Sequence, residues 1–152
     1  MRKTKILALS VLAMSVLAAG CGPTDYSSNF VGTYFGNNTV ALTSNTTGQT
    51  ATGSYQSAFQ ITEGASASDL VFAGTCGLTG HARSSTSFIT FQSSCFIHDS
   101  ASNCDFTYHL QAGAGTKVGA ALTMNIPGTA TVSCPAGSDT GTLMVTWNMT
   151  EQ

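Results

Sequence analysis

The side chains best suited to chemistry in this 152-residue sequence gather between Cys76 and His109. If the chain turns at Ser100 to Asn103, His98 falls opposite Asp105, and a histidine held by a carboxylate is how a general base is oriented. Such a base needs a nucleophile. Ser94 and Thr107 share its face, but serine and threonine cover that whole surface, so neither is singled out. The expected role of His98 and Asp105 is an exposed cross-strand pair worth about 0.2–1 kcal/mol, and no catalytic residue is expected. His98, Asp99, Asp105 and His109 also carry metal-ligating atoms. Their spacing matches no dedicated motif, and His109 lies several residues up its strand, so no metal is expected. His81 falls on a polar face or in a loop, and no glycine cluster opens a helix to cradle a phosphate.

Cys76, Cys95, Cys104 and Cys134 offer different chemistry. The gaps between them hold 18, 8 and 29 residues, with no Cys-x-x-Cys pair for zinc. An even number in an exported chain implies two disulfides. Cys76 and Cys95 lie equally far from a turn at Ser85-Thr86, and Cys95 and Cys104 equally far from the polar loop around Asp99-Ser100. The pairing 76–95 with 104–134 is preferred on this reading, and 95–104 with 76–134 stays open.

The elements that position these groups are strands. Tyr55, Ser57, Phe59 and Ile61 alternate with Gln56, Ala58, Gln60 and Thr62. The same period of two runs through Ser87 to Cys95, Cys104 to Leu110, Val118 to Ile126 and Leu143 to Met149. Clusters of Ser, Thr, Asn, Gly and Asp separate the runs and supply turns. About nine strands are expected, near 30–35, 38–44, 54–62, 69–79, 86–97, 104–111, 117–126, 128–134 and 141–150. Short connections without a crossover helix make neighbours antiparallel. An all-β, up-and-down meander of 8–9 strands closing into a small barrel follows, with a β-sandwich as the alternative. The inward row would hold Tyr34, Tyr55, Phe59, Phe72, Phe91, Phe106, Tyr108 and Trp147 with both disulfides, which implies a filled interior.

The N-terminus reads as an address. Arg2, Lys3 and Lys5 precede an uncharged run from Ile6 to Ala19, too short for a comfortable membrane span. The run ends in Leu17-Ala18-Ala19-Gly20-Cys21, which resembles the lipobox of bacterial lipoproteins, with Ala18 where leucine is commonest. The resemblance implies a signal peptide over 1–20, cleavage before Cys21, and a covalent lipid on Cys21 as the only attached group, with no other cofactor. Residues 21–29 would be the lipidated cysteine and a short tether, and 30–152 a single barrel domain. Beyond residue 20 only Arg83 and Lys117 stand against seven acids, which excludes a nucleic-acid surface.

Looser likenesses concern the barrel. Phe30-Val31-Gly32-Thr33-Tyr34 resembles the Gly-x-Trp opening of lipocalins, with Tyr34 in place of tryptophan. Gly32 to Ala58 resembles the start of avidin-type barrels, which would make Tyr55 and Ser57 partners of a biotin-like ureido group. Avidins line that site with several tryptophans and this chain has only Trp147, so biotin is set aside. Gly74-Thr75-Cys76-Gly77, Ser93-Ser94-Cys95 and Gly128 to Cys134 are similar to small β-rich lipoproteins of the myxobacterial type. Periplasmic lysozyme inhibitors share the address and architecture, but their Ser-Gly-x-Arg loop is missing here. The expectation is a non-catalytic envelope or surface lipoprotein, anchored to a membrane through its lipid and touching another envelope protein. The alternative is lipocalin-like binding of a small apolar ligand.

Overall fold

A computed structural model describes residues 24–74 and 76–152. The expected signal segment, 1–20, and Cys21 lie outside the described residues. Ten strands follow a short 3-10 turn at Ser27–Asn29. They are β1 (Gly32–Ser44), β2 (Thr50–Glu63), β3 (Asp69–Ala73), β4 (Thr79–Ala82), β5 (Ser87–Thr90), β6 (Ser93–Asp99), β7 (Cys104–Leu110), β8 (Ala114–Val118), β9 (Ala121–Cys134) and β10 (Gly137–Glu151). All pairings are antiparallel. Eight strands close into a ring in the order β1, β2, β3, β4, β5, β8, β9 and β10, with β10 pairing back onto β1. The expected closed meander is thus present, and β6 and β7 make an excursion from it.

Where that excursion attaches is decided by β9. Its first part pairs with β8 up to Asn125, and its second part pairs with β7 from Gly128. Pro127 stands at the change of neighbour, where a residue without an N–H leaves no ladder donor unmet. The long strands β1, β2, β9 and β10 therefore run on past the ring. With β7 and β6 they form a curved six-stranded leaf, in the order β2, β1, β10, β9, β7, β6. Among the described residues its two edges have no further strand partner, because β2 meets β3 only at Gln60 to Glu63 and β6 pairs with β7 alone.

The ring is filled. Tyr34, Phe59, Phe72, Phe88, Leu122, Met124 and Trp147 interlock in one buried cluster, with Tyr34 stacked on Phe59 at 5.6 Å and Phe72 against Phe88 at 5.7 Å. Phe30 plugs the lower end edge-on to Phe88, and the Tyr34 hydroxyl donates to its carbonyl at 2.6 Å. The residues before it are fixed as well. Asp25 accepts from the Ser27 and Ser68 backbone N–H groups, and Tyr26 N–H donates to Ser68 Oγ at 2.8 Å. Those Ser27 and Ser68 bonds hold the Asp25 carboxyl below the usual carboxylate range. Asp25 to Asn29, expected to be tether, is thus packed onto the barrel.

Several expected boundaries and faces are corrected. Residues 30–35 and 38–44 belong to one strand, because Gly36 serves a close approach rather than a turn. A Cβ there would lie 2.2 Å from the Asn148 carbonyl oxygen on β10. The expected 69–79 strand is broken after Ala73, where Gly74, Cys76 and Gly77 all take positive φ. The expected 86–97 strand breaks at Phe91-Gln92, and the inward parity changes across the break. Phe88 and Thr90 face inward in β5 instead of Ile89 and Phe91, so Phe91 is exposed. Tyr55 is also exposed, since it lies on the leaf rather than in the ring. The 117–126 and 128–134 runs are one strand, entered from β8 through a turn at Gly119.

Both preferred disulfides are present, Cys76–Cys95 and Cys104–Cys134. Cys104 and Cys134 link β7 to β9 beside the Asp105–Ser133 rung. Cys76 and Cys95 do not face each other across a hairpin. They join the turn between β3 and β4 to β6, and Cys76 is exposed rather than internal.

Candidate functional site

The inward face of the leaf is apolar, and the strand count explains why it is not filled. A ring of eight strands has room for side chains alone, whereas six strands curving without closing leave space between their ends. That space is a cleft of about 500 Å³. Val40 of β1, Tyr55 of β2 and Leu143 and Val145 of β10 form one wall. Cys95 and Ile97 of β6 and Tyr108 and Leu110 of β7 form the other. Leu78, Ile126 and Trp147 lie where the cleft meets the ring core, and the Cys76 turn closes one side.

No charged side chain lines this space. Its polar groups are the phenols of Tyr55 and Tyr108, and burial, with Tyr55 nearby, pushes the Tyr108 phenol up. The lining residues among those described therefore include no acid and no base. Beneath it, Trp147 packs on Phe59 at 4.5 Å and on Phe72 at 6.4 Å. Asn38 stands directly opposite Trp147 in the β1–β10 ladder and opposite Tyr55 in the β1–β2 ladder. Its side-chain amide donates to Ser57 Oγ. The Asn38 carbonyl oxygen and the Trp147 indole N–H are both buried and without a partner.

The sequence-predicted residues divide between this cleft and the outer surface. The Cys76–Cys95 bridge, Tyr55, Tyr108 and Trp147 belong to the cleft. Ser57 does not line it and accepts from Asn38, which lies behind Trp147 and Tyr55 in the ladders. On the outer face of the β6–β7 hairpin, His98 Nδ1 lies 2.7 Å from Asp105, as the turn position predicted. Ser94 does not join them, because its hydroxyl pairs with His109 Nδ1 at 2.9 Å. Four residues of strand, about 13 Å, separate Ser94 from His98. Thr107 falls between the two pairs, opposite Phe96. His81 pairs with Asp69 at 3.0 Å across β3 and β4. Asp99 instead accepts from Ser102 and from the Ala101 backbone at its hairpin turn, which lowers its carboxyl. Among the described residues, no three His, Cys, Asp or Glu side chains come together as a metal would need.

Sequence reasoning missed Asn38, although a signal was available. It shares the parity of Tyr34, Val40 and Leu42, so it is the one amide in an otherwise apolar inward row. Compared with known proteins, the chain matches no family model, no curated protein and no solved structure.

Proposed function

We propose that this chain is an envelope lipoprotein that holds a small, largely apolar ligand in the cleft at the mouth of its barrel. The observation that carries the proposal is the cleft itself. Its volume lies within the roughly 300–1,000 Å³ of small-molecule sites, and an uncharged lining with a few polar groups is what such sites use. The role is read as non-catalytic because neither His–Asp pair has a nucleophile placed with it, the nearest candidate, Ser94, being bound to His109 about 13 Å along the strand from His98. The reading replaces a filled interior with one that is filled only in the ring. A contact with another envelope protein is favoured by one observation, the unpaired edges of β2 and β6, which are open to strand addition.

Native mass spectrometry of the mature protein purified from its own envelope tests the proposal. A copurified small molecule is expected, and Ile97→Glu should cut its occupancy at least tenfold. Ile97 is exposed on the cleft wall, so a charge there spoils the apolar lining without unfolding the core. Wild-type protein that carries no small molecule, or only a protein partner, would overturn the reading.

The address is proposed from the lipobox resemblance, with lipid on Cys21 and attachment to a membrane. Cys21→Ser should abolish incorporation of labelled fatty acid and block processing, because both steps require the thiol. Label on the serine variant would refute the anchor.

A further inference from the structure

We infer that the ligand carries an uncharged head group that both accepts and donates a hydrogen bond, and that Trp147 and Asn38 receive it at the cleft floor. The inference rests on the cleft-binding reading and adds the chemistry of the head. A buried polar atom left unpaired is costly, so two of them on facing residues call for an explanation. Trp147 is 6% exposed and Asn38 is 2% exposed, and they face each other across one ladder rung. One unpartnered atom is a donor, the Trp147 indole N–H, and the other is an acceptor, the Asn38 carbonyl. The rest of the Asn38 side chain is held, because its amide nitrogen donates to Ser57. Around Asn38, Tyr55, Val40 and Trp147 itself line the cleft.

A carboxylate does not fit this pair. It offers only acceptors, which would repel the Asn38 carbonyl, and no cation is at hand to neutralise it. Among the described residues the lysine and arginine both sit at the other end of the barrel. Lys117 is bound to Glu151 at 2.7 Å and to the Asn29 carbonyl, and Arg83 lies in the turn between β4 and β5. An amide fits, with its carbonyl taking the indole proton and its N–H meeting Asn38. A hydroxyl offers the same two functions. The apolar walls then take the remainder of the molecule.

The test uses the mature protein purified from its own envelope and stripped of any copurified small molecule. Three probes with one alkyl chain are titrated by calorimetry: decanamide, methyl decanoate, which only accepts, and decanoate, which is charged. Decanamide should bind at least tenfold more tightly than either of the others. Asn38→Leu and Trp147→Phe, which keeps an aromatic ring but loses the indole N–H, should each reduce that preference to less than threefold while retaining binding of methyl decanoate. Should one variant fail to fold, the other still decides. Equal binding of all three probes would overturn the head-group inference and leave the cleft reading standing. Tighter binding of decanoate would do the same. Failure of all three to bind would remove the cleft reading for alkyl ligands, and the inference with it. A tightly held water bridging Trp147 and Asn38 that decanamide does not displace would also overturn the inference.

Discussion

Replacing Trp147 with alanine should lower the free energy of unfolding by about 3–5 kcal/mol, the range of large-to-small changes in packed cores. Trp147 stands where the ring core meets the cleft, so its truncation acts on both. Downward it loses Phe59 and Phe72, which themselves pack on Tyr34 and Phe88, so the cavity would open in the middle of the aromatic cluster. Surrounding strands cannot close over it easily, because they belong to a closed ring whose circumference is set by strand number. Sideways it removes the floor that separates the core from the cleft. Urea denaturation of wild type and variant measures the loss. A change below about 1 kcal/mol, together with strongly red-shifted emission from the native tryptophan, would refute the packing role.

The double variant Cys104→Ala/Cys134→Ala should lose about 3–4 kcal/mol. The bridge spans 30 residues of sequence, and opening a loop of that size returns this much chain entropy to the unfolded state. The native state suffers too. β7 is tied to β9 by a ladder from Asp105–Ser133 to Leu110–Gly128, and the disulfide lies at its distal end. Without it the outer wall of the cleft frays from the tip inward. The variant should therefore show faster hydrogen exchange at Asp105 to Thr107 than at the ring strands, alongside a lower denaturation midpoint measured without reductant. An unchanged midpoint would show that the leaf does not need this tie.

The ring was legible in the sequence because it depends on period and turn chemistry. Leu122, Met124 and Ile126, or Leu143, Val145, Trp147 and Met149, declare an inward face whatever their neighbours are. The His98–Asp105 pair was legible for a similar reason, since placing the hairpin turn fixes the register of both. The misreadings fall where a residue answers to a neighbour distant in sequence. Gly36-Asn37-Asn38 has the composition of a turn, yet the glycine is required by the backbone of β10 and the strand passes straight through. Phe91 looks inward by alternation, and only the irregular pair Phe91-Gln92 reveals that β5 and β6 keep opposite parity. The cleft was hidden most completely. It arises because β9 changes partner at Pro127 and sends β7 and β6 outside the ring, and no periodicity within one strand reports its neighbour on each edge.

The docking of Asp25 on Ser68 sets the posture of the whole domain if Cys21 bears lipid. Only two residues, Gly22 and Pro23, separate Cys21 from Thr24, a leash of at most about 11 Å. Ser68 follows β2 at the plugged end of the ring, whereas Val40 of the cleft lies eight residues up β1 from Gly32, about 26 Å along the tilted strand. With lipid on Cys21, so short a leash would stand the barrel on its closed base and lift its mouth away from the bilayer. Cargo would then be exchanged with the aqueous compartment above the membrane rather than drawn sideways out of the lipid leaflet.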